Sequence, residues 1–492
     1  MTRIRIALGA VLAAAFVAGC GGGGGATSGV GTTPDSASIV PAGAPAFIAF
    51  DTDVDSEGWN KTEALLDKFP GKDDLLSSLR SDLAEDGLTW ERDVKPALGD
   101  EVDIVWLDFE DGGDNVVGVT KPKDVAQFNA LLDSDETDPT VHEQIEGWTV
   151  FADTQAQLDR FEQLRSQGGS LGDDSVFDDA MSGMPDDAIA KAYVRGSALQ
   201  TQLDKSFEQA GLPSGTTKSQ IGDLDSVAAA VTPQSDGITI EAAANGDVDL
   251  GGDAYHADLP NDLPANALFY LSFNNVGHRL ADLINKYSQS NSSFDQQRAQ
   301  LEQALGFTVG DIVDVLQGEG ALVLYPTGTS TPDVLFVVHE TDEEKARKLV
   351  DRLSGLAALS GSGQTRQEQI GDLTATVFTF SGTDVYTVVF NGNLVMTNSR
   401  QPIVNMAGNG PNLADDQVYE NAVSSAGMPD DTDGFLYMNM KTGLEWAFSY
   451  SESQGTPVPQ VYKDNTAPLR GLLTYSAKDG DTFRFTGFLG IE

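Results

Sequence analysis

One cysteine in 492 residues excludes an intrachain disulfide and any metal site built from cysteines. Histidine is almost as scarce. The four residues His142, His256, His278 and His339 include no pair at helical i, i+3 or i, i+4 spacing, so a helical metal pair and a zincin motif are both absent. No Gly-x-Ser-x-Gly elbow is recognised, and Gly318-Glu319-Gly320 lacks the third glycine of a dinucleotide loop. Positive charge is short as well: 30 Lys and Arg face 75 Asp and Glu, for a net charge of −45. A field of that sign repels nucleic acid and anionic headgroups. The expectation is a protein with no cofactor, no metal centre, no nucleic-acid partner and no catalytic centre. Its ligand or protein partner is expected to be cationic rather than anionic.

The single cysteine has a place. Arg3 and Arg5 open the chain, and a small and apolar run from Ile6 to Ala18 follows. That run is too short to span a bilayer as a helix and suits the h-region of a signal peptide. It closes on Val17-Ala18-Gly19-Cys20, which resembles a bacterial lipobox. Residues 1–19 are therefore expected to be a lipoprotein signal peptide and Cys20 the lipidated mature N-terminus. The lipid on Cys20 would hold the protein to the extracytoplasmic face of the cell membrane. Residues 20–40, rich in Gly, Ser and Thr, read as a flexible tether.

Most of the remainder is one plan written twice. Gly183-Met184-Pro185-Asp186-Asp187 returns as Gly427-Met428-Pro429-Asp430-Asp431, in each case after a helical run and before a strand-like one. Gly suits a helix C-terminus, Pro fixes φ beyond it and Asp makes turn hydrogen bonds, so the pentapeptide reads as a turn. Strand entries match as well, at Pro41-Ala42-Gly43-Ala44 and Pro264-Ala265-Asn266-Ala267. The expected division is a first repeat domain at 41–245, a linker at 246–263 and a second repeat domain at 264–492. Helical spacing recurs at Leu65, Leu66, Phe69, Leu75, Leu76, Leu79 and Leu83, and again at Leu280, Leu283, Ile284, Tyr287, Leu301 and Leu305. Hairpin-joined strands with helices between them predict an α+β fold. Each of the two tandem homologous domains is a mainly antiparallel sheet with helices packed on one face. The second copy is longer, and the surplus is assigned to a hairpin at Thr374 to Phe390.

Three stretches are candidates for function. Asp51, Asp53 and Asp55 space oxygen ligands like the start of a calcium loop, which makes them a weak cation candidate. Ser56 and Thr62 stand where an EF-hand needs Gly and Glu. The equivalent Asn274-Asn275-Val276-Gly277 carries no carboxylate. Aligning the copies puts Trp90 opposite Val309 and Trp106 opposite Tyr325, which favours core roles for these tryptophans. The stretch from Tyr450 to Tyr462, with Pro457 and Pro459, reads as a long loop suited to recognition.

The Pro-Ala-x-Ala strand entries, Lys68-Phe69-Pro70-Gly71 and Val94-Lys95-Pro96-Ala97-Leu98-Gly99, together with the lipobox and tether, resemble one family. It is the uncharacterised bacterial, largely actinobacterial, envelope lipoproteins grouped as domain of unknown function 3352. The resemblance implies export and a lipid anchor, and it brings no catalytic residues. The function expected is a non-enzymatic binding or scaffolding protein of the cell envelope. The alternatives are a transporter's solute-binding lipoprotein and an envelope hydrolase.

Overall fold

The computed structural model describes residues 33–492, apart from residues 86, 111–112, 135–139, 210–214, 249–252, 329–330, 340, 361–363 and scattered positions between 279 and 307. Cys20, the leader and the tether as far as residue 32 lie outside the described residues, as do Leu280, Leu283, Tyr287, Leu301 and Leu305. Contacts divide the chain into two units. Unit 1 is Met1–Leu250 with Lys478–Gly487 and Ile491–Glu492, and unit 2 is Gly251–Ala477 with Phe488–Gly490. The tip of the terminal hairpin thus belongs with the first unit rather than the second. There Thr482 Oγ1 donates to Asn245 Oδ1 at 2.8 Å.

The first unit holds β1 (Ala46–Asp51), β2 (Glu101–Trp106), β3 (Val116–Thr120), β4 (Val141–Ile145), β5 (Trp148–Ala152), β6 (Ala190–Arg195), β7 (Gly222–Pro233) and β8 (Gly237–Val248). All pair antiparallel, in the order β4-β5-β3-β2-β1-β6-β7-β8. The second unit holds β9 (Tyr255–His256), β10 (Phe269–Asn274), β11 (Glu319–Tyr325), β12 (Asp333–Val338), β13 (Gln364–Ile370), β14 (Leu373–Phe380), β15 (Thr383–Phe390), β16 (Asn393–Thr397), β17 (Asp431–Thr432), β18 (Gly434–Asn439) and β19 (Leu469–Asp479). Its sheet is also antiparallel and runs β13-β14-β15-β16-β12-β11-β10-β18-β19, while β9 pairs with β17 apart from it. β20 (Thr482–Ile491) forms the closing hairpin with β19.

From β15 to β19 that order repeats the order from β4 to β7 strand for strand. The chain is therefore α+β, a duplicated antiparallel sheet with helices. Registers agree: Phe47 lies between Val105 and Tyr193, as Tyr270 lies between Val323 and Tyr437. Matching two-residue turns join β4 to β5 and β15 to β16, with positive φ at Glu146 (53°) and Gly147 (88°) and at Asn391 (50°) and Gly392 (74°). Two successive positive φ values suit the right-handed twist of a hairpin. The surplus of the second copy is consequently β13–β14, not Thr374 to Phe390, because β15 is the counterpart of β4.

One aligned pair also shifts. Trp90 and Val309 each follow a threonine whose hydroxyl donates to an aspartate, Thr89 to Asp93 and Thr308 to Asp311, both at 3.0 Å. From there to the next strand the first copy holds one residue more, since Glu101 pairs with Asp51 as Glu319 pairs with Asn274. The extra residue is absorbed as a π-helix over Trp90–Val94, with Lys95 N–H donating to Trp90 C=O at 2.8 Å. Trp106 is therefore the counterpart of Leu324, and buried Leu107 that of buried Tyr325.

Alternation along β2 sends Glu101, Asp103 and Val105 to one face and Val102 and Ile104 to the other. The first face carries the main core, where Phe47 meets Phe177 edge-on at 5.8 Å and Phe177 meets Tyr193 at 5.0 Å. These three rings are fully buried, and each such side chain contributes roughly 1.5–3 kcal/mol. Trp90, Leu98, Val102, Phe128 and Phe151 form a separate cluster with Leu76 and Leu83 of the helix Lys72–Glu85. In the second unit Tyr419 meets Tyr437 edge-on at 5.1 Å.

The repeat starts earlier than its proline signals. Residues 35–40 fall inside the expected tether, yet Asp35–Ser38 is a 3-10 helix and Ala37, Ile39 and Val40 are buried. Glu101 holds this segment by accepting the N–H of Ser36 at 3.1 Å. In the second copy Glu319 accepts the N–H of Leu259 at 3.0 Å, at the start of the helix Leu259–Asp262. Tyr450 to Tyr462 is not a long loop either. Helices Met440–Ser453 and Gln460–Thr466 take both its ends, and Lys463 ties them together through Glu452 at 2.6 Å.

Candidate binding pocket

A cavity of about 300 Å³ opens in the first unit where β1 ends, β2 begins and β3 ends. Its walls are Thr52–Asp55 after β1, Trp90 and Glu91 of the π-helix, the turn before β2 from Lys95 to Gly99, and Lys123 after β3. The frame is tight. Thr52 Oγ1 donates to Gly99 C=O at 3.0 Å, and a Cβ on Gly99 would sit 2.3 Å from Lys121 C=O, so this turn accepts only glycine.

The carboxylates expected to form a cation site do not converge on an ion. Asp51 is 2% exposed, and its oxygens accept the Ser56 hydroxyl at 2.6 Å and the Asp53 N–H at 2.9 Å. Burial pushes its pKa from 3.8 up to about 7, against the opposing pull of those hydrogen bonds. Asp53 Oδ1 accepts the N–H of Asp55 at 3.3 Å, and Asp55 Oδ1 lies 3.7 Å from Lys95 Nζ. Ser56 caps the helix Glu57–Leu66 by accepting from Trp59 N–H. Both oxygens of Asp51 and one of Asp53 thus serve turn and cap geometry, and among the described residues no group of three or more His, Cys, Asp or Glu is placed to hold a metal.

What the cavity does gather is charge of both signs over an apolar floor. Lys95 faces Asp55, and Lys123 Nζ lies 2.9 Å from Asp100 Oδ1. Trp90, 4% exposed, contributes to the floor, and its indole N–H has no acceptor among the described residues. By register, Lys123 has Thr341 as its counterpart and Lys95 has Val313, so the second copy lacks these charges. The π-helix was invisible in the sequence, where Trp90 signalled only core; its one-residue surplus over the second copy was the available sign.

Other candidates are structural. Gly183 and Gly427 end the helices Ser175–Ser182 and Gln417–Ala426, the latter with φ 63°, and Met184 is buried in the first core. The pentapeptide leads the chain out of a helix in both copies, and in the second its last residue, Asp431, begins β17. The histidines are dispersed: His142 Nε2 lies 3.5 Å from Asp133, His256 contacts Asp430 C=O at 3.1 Å, His339 contacts Asn393 at 3.0 Å, and His278 is exposed. One string does fit the elbow pattern, Gly168-Gly169-Ser170-Leu171-Gly172. Ser170 follows a helix instead of a strand, however, and its hydroxyl donates to Asp173 at 2.6 Å, so it is not a nucleophile elbow. Trp59, Trp90 and Trp148 are buried, whereas Trp446 stacks on Tyr450 at 5.5 Å along a helix with no buried residue. Among the described residues no helix is long and apolar enough to cross a membrane.

A family model described as "Protein of unknown function (DUF3352)" matches residues 4–164 and 145–489. The chain belongs to the DUF3352 family. Its two overlapping matched regions accord with the duplication seen in the DUF3352 fold. No match is found among curated proteins. Solved structures similar to this DUF3352 chain include crystal form IV of TP0453, at 11% identity and a TM-score of 0.24, covering 47% of this chain and 93% of that one. Crystal form III of TP0453 matches at 12% identity and a TM-score of 0.24, covering 48% and 94% respectively.

Proposed function

We propose that this is an exported, lipid-anchored binding or scaffolding protein of the cell envelope, without a catalytic centre, whose first unit holds its ligand in the cavity between Thr52 and Lys123. The observation that supports this reading is where the two copies differ. Most core positions exchange one apolar or aromatic residue for another, the exceptions being buried Asp103 opposite Ala321 and buried Lys191 opposite Phe435. Around the cavity, by contrast, the first copy alone has Asp53, Asp55, Lys95, Lys123 and a π-helix, and inserted π turns are frequent at functional sites. A walled cavity of about 300 Å³ is at the low end of the roughly 300–1,000 Å³ typical of small-molecule sites. Its lysines and carboxylates are paired with one another, an arrangement suited to recognition. The anchor at Cys20 is supported by the basic, apolar and small residues that precede it in that order.

The test is a ligand screen by thermal shift on the full chain in detergent, with Val54→Trp as a filled-cavity control. Ligands that stabilise the wild type and lose their effect on Val54→Trp are expected. Absence of any such ligand refutes the cavity as a site. Hydrolysis of an ester, peptide, glycoside or phosphate substrate that one cavity substitution abolishes refutes the non-catalytic reading.

A further inference from the structure

Resting on that reading of the cavity, we propose that the group it takes is a primary ammonium on an aliphatic stem, either a free alkylamine or the lysine side chain of a partner protein. Buried Trp90 and Leu98, with half-buried Val54, supply the apolar half of this recognition. The rim supplies the charge. Three carboxylates, Asp53, Asp55 and Glu91, face two ammoniums, Lys95 and Lys123. Asp100 takes up Lys123 at 2.9 Å, and Asp51 stands behind the loop. The balance is negative within a chain of net charge −45, so an anionic ligand meets repulsion and a cationic one is drawn in.

The cavity already carries the chemistry proposed for its ligand. Lys95 is itself an ammonium on an aliphatic stem, lying 3.7 Å from Asp55 with about a third of its side chain exposed. A contact that long and that wet is weak, and an incoming ammonium can replace it while its stem covers the apolar floor. A divalent metal would need several carboxylates aimed at one point, and both oxygens of Asp51 and one of Asp53 are turned to Ser56 and to backbone N–H groups instead. An ammonium needs only one or two acceptors. In the second copy Val313 and Thr341 stand in place of the lysines.

The Trp90 indole N–H reports on the site. With the full chain labelled with nitrogen-15 in detergent, its resonance is assigned by loss in Trp90→Phe and followed during titration with hexylammonium, hexanamide, hexanoate and an N-acetyl-lysine amide. Hexylammonium or the lysine amide is expected to shift it saturably, and the tighter of the two identifies the source as a free amine or a partner's lysine. Asp53→Asn with Asp55→Asn is expected to weaken binding about tenfold or more, and Lys95→Met, which removes the competing cation, to tighten it. The remaining indole resonances show that each variant is folded. Hexanoate or hexanamide binding as tightly as hexylammonium would overturn the ammonium assignment and leave the cavity a binding site, as would an unchanged affinity in both variants. No shift with any of the four probes would overturn both readings.

Discussion

Glu319 makes a measurable demand on how stability varies with pH. Its carboxylate, at the start of β11 and 6% exposed, accepts the N–H of Asp258 at 2.8 Å and of Leu259 at 3.0 Å. Burial raises its pKa from 4.5 to about 7, and the two backbone hydrogen bonds hold it back from rising further. The folded chain therefore binds this proton more tightly than the unfolded chain does. Stability from that proton is fully present below about pH 4.5 and is lost as pH climbs through about 7. A pKa difference of about 2.5, at 1.36 kcal/mol per unit, corresponds to about 3 kcal/mol over the whole range. Roughly 2–3 kcal/mol of it falls between pH 5 and pH 8. Glu319→Gln cannot titrate, and its amide oxygen can still accept from one of the two N–H groups. Urea unfolding of both proteins at pH 5 and pH 8 isolates the effect, because other titrating groups and the repulsion within a chain of net charge −45 cancel in the double difference. The wild type is expected to lose about 2–3 kcal/mol more than the variant over that interval. Parallel losses would refute the argument.

Other outcomes follow from the same structure. Asp51→Asn should flatten the pH dependence in the same sense, since burial also raises the Asp51 pKa to about 7; an unchanged slope in urea unfolding between pH 5 and 8 would count against it. Gly118→Ala should destabilise by about 1–3 kcal/mol, because a Cβ there would lie 2.2 Å from the Phe151 ring. Thermal unfolding measures this, and Phe151→Leu in the same chain should recover part of the loss. Cys20→Ala should release the protein from membranes with its thermal unfolding unchanged. Mass spectrometry of the native N-terminus should find lipidated Cys20, and an unmodified N-terminus at Ala26 or beyond would sink the anchor.

The duplication was readable because turns repeat as residue types. Gly, Met, Pro and Asp recur where a helix must stop and a strand begin; a φ of 63° favours glycine at Gly427, whereas Gly183 stops its helix at φ −82°. The start of each repeat was hidden for the opposite reason. Glu101 and Glu319 hold their leading segments through backbone N–H groups, so Ser36 and Leu259 can do the same job while sharing no side-chain chemistry. The added strand β13 is hard to read in sequence because Gln364 to Gln369 are all polar, and a strand lying outermost among the described pairings shows little alternation. The more apolar run beside it carries the stronger strand pattern. One extra residue in the Trp90–Val94 turn then displaced the alignment of the following strand, which exchanges its inner and outer faces.

The candidate site was hidden because its parts reach the cavity from four separate stretches of chain. Asp53 and Asp55 read in sequence as an incomplete calcium loop, and Lys95 and Lys123 belong to no binding motif. The two copies together supply what a single spacing pattern lacks. Each is the other's internal control for what the fold requires: a Glu at the start of the second strand that accepts from the leading segment, paired rings in the core, a glycine or asparagine in the tight turns. Features present in both are explained by folding. The lysines, the acidic loop and the π-helix occur in one copy, and the second copy keeps the same strand order and registers without them. The shared strand order does not require them, and their common location on one cavity supports the ligand recognition proposed above.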